Sequence, residues 1–310
     1  MSSTSSPSPS ANSSSESSLP PTIIGSFEKK LYVLELEENV TVKTVQASGV
    51  TTKNTPPPKL LFYSPMIEFV EYADHFLKHP RLTEKLLDSR TISAKRPEIK
   101  QDNEAGVVLT SMTYILDPIT EVLHAMFPGK WDLHSEQTQV EKKVEKNIQK
   151  EVGGESALRT DLIFKISGSE HTIAVVEFKR RQYIRYKDFK GAIVPLDISE
   201  NELEQKKLDS DAKNRKTLLE GNAEPYGKQV KAYAIRTGCK HVALFNWEHL
   251  LLFNFDPVTF ETASDRPKVS WVHEGDDGHG FMEEGLIRKV LLGWLIKAFR
   301  DAGIEIEFKE

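Results

Sequence analysis

Two carboxylates and a lysine lie at the ends of two neighbouring β-like runs, and residues of these types can support phosphodiester hydrolysis. Asp161 lies near the start of the first run, residues 160–166, which is rich in β-forming residues. Glu177 and Lys179 end the second run, residues 171–179, after a short Ser-Gly-Ser-Glu turn. If this turn closes a hairpin, both carboxylates lie at one end of the sheet, and Lys179 shares the face of Glu177. Carboxylate oxygens in such a position can bind a hard divalent cation.

Context, rather than the tripeptide itself, selects the Glu-x-Lys that begins at Glu177. The chain contains six such tripeptides, and the copy at Glu307 even repeats the same three residues. Only the Glu177 copy ends an apolar run and follows an aspartate on an adjacent strand-like segment. The non-catalytic alternative is that Asp161 merely starts a strand and that Glu177 and Lys179 form a surface ion pair.

Residues 223–237 predict a helix that ends at Gly238. Gln229 and Tyr233 are four residues apart, so they lie on one face of this helix. In isolation, a surface glutamine and a core tyrosine explain this pair as well as a functional role does. Two apolar runs follow and predict further strands around a turn: residues 241–246 and 249–255.

The pattern resembles the PD-(D/E)XK phosphodiesterase superfamily, in which an acidic residue on one strand precedes an (Asp/Glu)-x-Lys on the next. Thr160 stands where the superfamily usually has proline, a departure that many members share. Gln229 and Tyr233 resemble the Gln-x-x-x-Tyr motif of the RecB-type and phage lambda exonuclease branch. The combination of a Ser-rich tail with this core also resembles uncharacterised fungal proteins that have a PD-(D/E)XK nuclease-like domain. The resemblance covers residues 102–256. It implies an α/β fold with a restriction-endonuclease-like αβββαβ core, in which helices flank a mixed central sheet.

The resemblance also implies a function and roles for individual residues. Asp161 and Glu177 would bind Mg²⁺ or Mn²⁺, with the backbone carbonyl of Phe178 as a further ligand. The metal would lower the pKa of a bound water, and Lys179 would orient that water or stabilise the transition state. The implied function is metal-dependent hydrolysis of DNA or RNA, with DNA favoured. The alternative is a catalytically inactive module of this fold that binds nucleic acid or a protein partner.

The family commonly adds a third carboxylate from the first core helix, and two residues qualify. Glu121 is the preferred candidate, although it follows Asp117 closely enough for a capping role to explain it equally well. Glu104 is the other candidate, in the first turn of a helix, where acidic side chains suit the helix dipole.

A basic segment directly after the tripeptide predicts contact with nucleic acid. Residues 178–190 contain six basic residues and one acidic residue, interleaved with Tyr183, Tyr186 and Phe189. Such a segment can bind phosphates through its cations while its rings stack on bases, although a charge run is more often a solvated face. The predicted nucleic-acid-binding residues are Arg180, Arg181, Arg185, Gln229 and Tyr233.

Composition indicates a soluble globular protein without a general attraction to nucleic acid. The chain has 310 residues, of which 38% are hydrophobic and 28% charged, and its net charge of −5 requires any such binding to use a local basic patch. We see no apolar stretch near the ~20 residues that span a bilayer and no secretory signal pattern. The single cysteine, Cys239, excludes an internal disulfide and predicts an intracellular protein, nuclear or cytoplasmic, with this thiol buried.

Composition shifts divide the chain into four predicted parts. The first eighteen positions contain eleven serines, which predicts disorder. The parts are residues 1–20, a disordered tail; 21–101, an N-terminal extension with strands and helices; 102–256, the nuclease-like core with a helical insertion at 180–222; and 257–310, a loop and a helix that packs on the core.

Periodicity predicts the remaining elements. Asp117 is the expected N-cap of the second core helix, with Pro118 in its first turn. A strand or hairpin is predicted from Ile23 to about Val50, and the first core strand over residues 131–140. The predicted helices cover residues 66–77, 83–88, 103–116, 119–127, 199–219 and 282–302.

Overall fold

The structure, a computed structural model, describes part of the chain in detail. The described residues are 22–32, 52, 55–91, 103–139, 158–212, 217–274 and 280–308. The predicted Ser-rich tail and most of the predicted hairpin before Val50 lie outside these residues, and so does the whole connection between the first two core strands.

A large mixed sheet lies at the centre of the described part of the chain. Its strands are β1 (Leu61–Tyr63), β2 (Trp131–Gln139), β3 (Leu158–Ile166), β4 (Thr172–Phe178), β5 (Ile193–Val194), β6 (His241–Phe245), β7 (His249–Asn254), β8 (Lys268–His273) and β9 (Met282–Glu284). The order across the sheet is β2-β3-β4-β6-β7-β8-β1-β5, and β9 pairs with β8. The protein is therefore of the α/β class.

Helices cover both faces of this sheet. They are α1 (Ile23–Ser26), α2 (Ile67–Leu77), α3 (Pro80–Lys85), α4 (Glu104–Ser111), α5 (Asp117–Met126), α6 (Tyr186–Phe189), α7 (Glu200–Ala212), α8 (Ala223–Thr237) and α9 (Ile287–Asp301). One hydrophobic cluster joins the sheet to α2, α5 and α9, and a second joins it to α8 and residues of the insertion. Because both faces are covered, β4 is buried along its whole length, which explains its continuous apolar run.

The predicted hairpin and the helix after it are confirmed. Strands β3 and β4 pair antiparallel, with Leu162 opposite Val176, and β4 then pairs in parallel with β6. Helix α8 has the predicted bounds, and Gly238 ends it in the left-handed conformation, with a φ of 63°. The two apolar runs that follow form the antiparallel strands β6 and β7.

Several predicted elements are wrong in their bounds or their type. Residues Ile23–Ser26 form a short helix rather than a strand, with the side chain of Thr22 as its N-cap. Helix α3 starts at Pro80, before the predicted start at residue 83, because His79 caps it and proline suits the first turn. Residues Met282–Glu284 form a strand, so the C-terminal helix begins only at Ile287.

The two predicted core helices form one continuous helix, and Asp117 is not an N-cap. A π-helical segment, Met112–Leu116, joins α4 to α5, and the Asp117 carboxylate accepts a hydrogen bond from Thr91 Oγ1 at 3.3 Å. Pro118 follows this segment directly. Proline lacks an N–H group and crowds the carbonyl of the preceding turn, and the wider π turn accommodates it without ending the helix.

This helix, Glu104–Met126, is the one helix among the described residues that is long and apolar enough to cross a membrane by length and composition. Its most apolar window is 61% buried inside the protein. A buried core helix can have the same length and composition, so this helix is weak evidence for a membrane span.

Elements from outside the predicted core complete the same sheet. Strand β1, from the N-terminal extension, pairs in parallel with β5 of the insertion and with β8 of the C-terminal part. Strand β8 in turn pairs with β7. The extension, the insertion and the C-terminal part therefore share one sheet with the predicted core.

Gly293→Ala is expected to lower the free energy of unfolding by about 3 kcal/mol, because α9 packs directly on the backbone of α2. A Cβ atom at Gly293 would lie 1.8 Å from the carbonyl oxygen of Phe69. Urea unfolding measures the loss. The control is Gly227→Ala on α8, where the nearest atom is the flexible end of the Leu219 side chain, at 2.6 Å. Equal losses in the two variants would contradict this packing.

Asp301→Asn is expected to destabilise the protein at pH 7 by about 2 kcal/mol. The Asp301 carboxylate lies 2.9 Å from His241 Nε2 and 3.1 Å from Lys240 Nζ. The hydrogen bond from His241, followed by that from Lys240, holds the pKa of Asp301 well below its usual range.

The pH dependence of this effect has a defined sign. A carboxyl whose folded-state pKa is depressed stabilises the fold above its unfolded pKa of about 3.9, and this contribution is lost as the pH falls towards the folded-state pKa. Urea unfolding of wild type and Asp301→Asn should therefore give a difference that shrinks from pH 7 to pH 3. A constant difference would show that the ionised carboxylate is not the source of the stability.

Candidate active site

Glu177 and Lys179 form a buried ion pair at the end of β4, rather than the surface pair of the non-catalytic alternative. Lys179 Nζ lies 2.5 Å from Glu177 Oε1, and the two side chains are only 8% and 4% exposed. The backbone N–H of Lys179 donates to the carbonyl of Phe245 at 2.7 Å, which extends the pairing of β4 with β6. The strand pairing therefore fixes the backbone from which both side chains project.

Helix α8 lies against this pair and binds its carboxylate. Gln229 Nε2 donates to Glu177 Oε1 at 2.6 Å and to the Tyr233 hydroxyl oxygen, also at 2.6 Å. Tyr233 is fully buried. The structure thus brings together four of the predicted site residues, from two elements that are about fifty positions apart in the chain.

The Glu177 carboxylate is buried, and this burial bears on both its pKa and its hydrogen bonds. Burial raises the pKa of Glu177 above its usual range, although the charge and hydrogen bond of Lys179 and the Tyr233 hydroxyl act in the opposite direction. Glu177 Oε2 is buried and has no hydrogen-bond partner among the described residues. A buried carboxylate oxygen without a partner is costly, so it fits a bound cation or an additional donor.

The third carboxylate near the pair is Glu104, the alternative to the preferred Glu121. Glu104 Oε2 lies 4.0 Å from Lys179 Nζ. Glu121 is exposed on α5, seventeen residues further along the same continuous helix, which corresponds to about 25 Å along the helix axis. Because the helix does not break at Asp117, Glu104 and Glu121 are far apart along its axis. Glu104, which lies near Lys179, therefore replaces Glu121 as the candidate third carboxylate.

Asp161 and Phe178, the other predicted metal ligands, lie in the two paired strands. Leu162 of β3 is opposite Val176 of β4, and Asp161 and Glu177 are the chain neighbours of these two paired residues, on the same side of the pair. The description of Asp161 is limited to its backbone. The Phe178 ring is buried against the ring of Phe245, with centroids 5.9 Å apart, and the role of its carbonyl stays a prediction.

Two of the three predicted phosphate-binding arginines already bind carboxylates within the protein. Arg181 pairs with Glu248 at 2.9 Å, and Arg185 donates two hydrogen bonds to Asp188 Oδ2 at 2.8 and 2.6 Å. Arg180 is half-buried, and its guanidinium group lies 5.6 Å from the centroid of the Tyr183 ring. Arg180 is therefore the strongest remaining candidate of the three for phosphate binding.

The prediction that three rings of the basic segment stack on bases is wrong for Phe189. Its side chain is only 1% exposed, and its ring packs on Trp271 with centroids 5.1 Å apart. Tyr186 also packs on Trp271, at 5.6 Å. These rings hold the insertion on the sheet, which leaves Tyr183, beside Arg180, as the ring suited to a ligand.

Tyr226, which was not predicted from the sequence, also contacts the ion pair. Lys179 Nζ lies over the Tyr226 ring, 5.6 Å from its centroid. The available signal was spacing, because Tyr226 precedes Gln229 by three residues and so shares its face of the helix.

No group of three or more His, Cys, Asp or Glu residues arranged to hold a metal ion occurs among the described side chains, a set that does not include Asp161. Comparisons with protein-family models, curated proteins and solved structures found no match to this chain.

Proposed function

We propose that this protein is a metal-dependent nuclease of the PD-(D/E)XK type, which hydrolyses phosphodiester bonds of DNA or RNA, with DNA favoured. The observation that carries the proposal is the buried Glu177–Lys179 pair, whose carboxylate is bound by Gln229 while its second oxygen has no partner. A surface ion pair would be exposed to solvent and would not require a hydrogen bond from a neighbouring helix to its carboxylate.

The order of elements supports a restriction-endonuclease-like core. The helix formed by α4 and α5 precedes β2, β3 and β4, and α8 and β6 follow. This order corresponds to the αβββαβ pattern, and the sheet order β2-β3-β4-β6, with β6 parallel to β4, agrees with it. The candidate residues lie at the end of β4 and on α8, so one end of the sheet carries the proposed chemistry.

The residues at this site suit a magnesium or manganese ion. Asp161 and Glu177 would hold the ion, with the Phe178 carbonyl as a further oxygen ligand, and the unpartnered Glu177 Oε2 is the observation that fits this role. When bound, such an ion activates water for attack and neutralises charge on the phosphate.

The other site residues position and complement the reacting groups. The Lys179 ammonium group, which donates to Glu177 Oε1, would place a positive charge beside the scissile phosphate. Positive charge at that position stabilises the negative charge that develops during attack. Gln229 fixes Glu177 by binding Oε1, so Oε2 is the oxygen that remains for a cation.

Substrate binding would use a small basic surface beside this pair. The chain is acidic overall, and Arg181 and Arg185 bind internal carboxylates, so Arg180 is the proposed phosphate contact. Tyr183 lies beside Arg180 and offers a ring for a base.

The proposal is tested by incubating the protein with single- and double-stranded DNA and RNA in Mg²⁺, in Mn²⁺ and in a chelator. Cleavage that requires the metal supports a nuclease and identifies its substrate. Protein that binds one of these nucleic acids in every metal condition but never cuts it is instead a catalytically inactive binding module.

A further inference from the structure

Tyr226 extends the face that α8 presents to the ion pair. It lies three residues before Gln229 and seven before Tyr233, a spacing that keeps all three on one side of the helix. Its side chain is buried, and Lys179 Nζ lies 5.6 Å from the centroid of its ring. Helix α8 therefore contacts both members of the pair, the carboxylate through Gln229 and the ammonium through Tyr226.

An aromatic face is well suited to hold a lysine in place. The lysine side chain has several rotatable bonds, so a hydrogen bond to one carboxylate oxygen does not by itself define where the ammonium group lies. A cation is attracted to the face of a tyrosine ring, and the attraction is stronger where water is excluded. Lys179 and Tyr226 are both buried, which satisfies that condition.

The insertion holds Tyr226 at the start of α8. The backbone N–H of Tyr226 donates to the carbonyl of Asn222 at 3.2 Å. Asn222 is itself bound by the insertion, since its Nδ2 donates to the Tyr183 carbonyl at 3.2 Å and its N–H donates to Asp188 Oδ2 at 3.3 Å. The backbone that carries the Tyr226 ring is thus held by hydrogen bonds that involve neither Glu177 nor Lys179.

The Tyr226 ring, rather than its hydroxyl, is the functional part of the side chain. Burial, followed by the charge of Glu104, raises the pKa of Tyr226 well above its usual range, so the phenol stays neutral. A neutral phenol is a poor metal ligand and a poor base, whereas its ring face binds a cation equally well with or without the hydroxyl.

We propose that Tyr226 is a positioning residue that holds the Lys179 ammonium group beside Glu177, so that the functional motif of α8 is Tyr226-x-x-Gln229-x-x-x-Tyr233. The catalytic consequence of this role rests on the proposed nuclease function. The positioning itself rests on the geometry of Lys179 and Tyr226 alone.

Nuclear magnetic resonance of protein labelled with ¹³C at the lysine ε-carbons tests the positioning without any activity. The Lys179 signal is assigned by its loss in Lys179→Met. We expect its Hε resonance to lie upfield of free lysine because of the ring current of Tyr226. Tyr226→Phe should retain this shift, and Tyr226→Leu should lose it. Phe189→Leu, which removes a ring from the same hydrophobic cluster, is the control and should leave the signal in place.

Cleavage kinetics test the catalytic consequence. We expect Tyr226→Leu to lower kcat by about 10- to 100-fold with little change in KM, because the lysine is displaced from the reacting phosphate. Tyr226→Phe should restore kcat to within about threefold of wild type, because it retains the ring face.

The Lys179 resonance and the cleavage rate test the role of Tyr226 and the nuclease function separately. A wild-type Lys179 resonance at the free-lysine position would overturn the role of Tyr226 even if Tyr226→Leu did not fold, and so would full kcat in a folded Tyr226→Leu. Wild-type protein that cuts no nucleic acid would overturn the nuclease function, whereas the resonance shifts would still decide whether Tyr226 positions Lys179.

Discussion

Lys179→Met is expected to lower the rate of nucleic-acid cleavage by about 10²- to 10³-fold, which is the usual cost of removing one preorganised donor to a developing anion. The substitution removes the buried ammonium group 2.5 Å from Glu177 Oε1 and keeps a flexible side chain of similar length. Single-turnover cleavage under saturating enzyme measures the effect on the chemical step, because product release does not contribute.

The matched control for this variant is Lys165→Met. Lys165 is also a buried lysine, on the neighbouring strand β3, but it pairs with the exposed Glu170 at 3.1 Å, at the turn end of the hairpin. We expect this control to cleave at the wild-type rate. Equal rates in Lys179→Met and Lys165→Met would remove Lys179 from the mechanism.

The stability of the Lys179 variants provides a second readout of the buried pair. Lys179→Met leaves the Glu177 carboxylate buried without its cation, so we expect a loss of about 3–5 kcal/mol at neutral pH. The double variant Glu177→Gln/Lys179→Met removes both charges and should recover most of that loss. For this reason, cleavage should be measured well below the unfolding temperature of the single variant.

Glu177→Gln is expected to weaken Mn²⁺ binding by at least about 100-fold. Removing a residue that only hydrogen-bonds to a metal ligand already weakens binding by about 10- to 100-fold, and Glu177 is proposed to be a ligand itself. The substitution keeps the shape of the side chain but replaces the charged oxygen pair by a neutral amide. Electron paramagnetic resonance of free Mn²⁺ during a titration with protein measures the affinity directly.

The control for the metal prediction is Glu170→Gln, which neutralises an exposed carboxylate at the opposite end of the hairpin. This variant should bind Mn²⁺ as wild type does. If Glu177→Gln retained wild-type affinity as well, the cation would bind elsewhere, and Glu177 would be only the partner of Lys179.

Local sequence patterns predicted the elements that carry the site. The apolar run before Glu177 predicted a buried strand, and the Ser-Gly-Ser-Glu turn predicted its hairpin partner. Gly238 marked the end of α8 because only a residue tolerant of positive φ ends a helix in this way at low cost. With these elements, the four-residue spacing of Gln229 and Tyr233 was sufficient to predict that they share a helix face.

The third carboxylate could not be chosen from the sequence, because a capping role explained Glu121 and a helix-dipole role explained Glu104 equally well. Asp117-Pro118 has the composition of a helix start, which predicted two separate helices, one carrying Glu104 and the other Glu121. The π-helical segment Met112–Leu116 keeps the helix continuous, so Glu104 lies at the end near Lys179. A π-helical segment depends on tertiary packing and has no simple sequence signature.

The prediction that residues 178–190 contact nucleic acid included residues that instead bind other parts of the protein, because their partners are distant in the sequence. Glu248, which binds Arg181, follows it by sixty-seven residues in the chain, after both α8 and β6. Trp271, which covers Phe189, lies in β8. Composition alone could not separate cations and rings used for packing from those available to a ligand.

Adding metal to a preformed complex of the wild-type protein with nucleic acid shows whether the protein is a metal-dependent nuclease. The complex is assembled in chelator with each of the four substrate types, and Mg²⁺ or Mn²⁺ is then added in excess while the labelled strand is followed in time. We expect binding without cleavage in chelator and cleavage of the bound strand after metal addition, absent from a parallel preparation of Glu177→Gln. An intact strand in every wild-type complex after metal addition would exclude the proposed nuclease function.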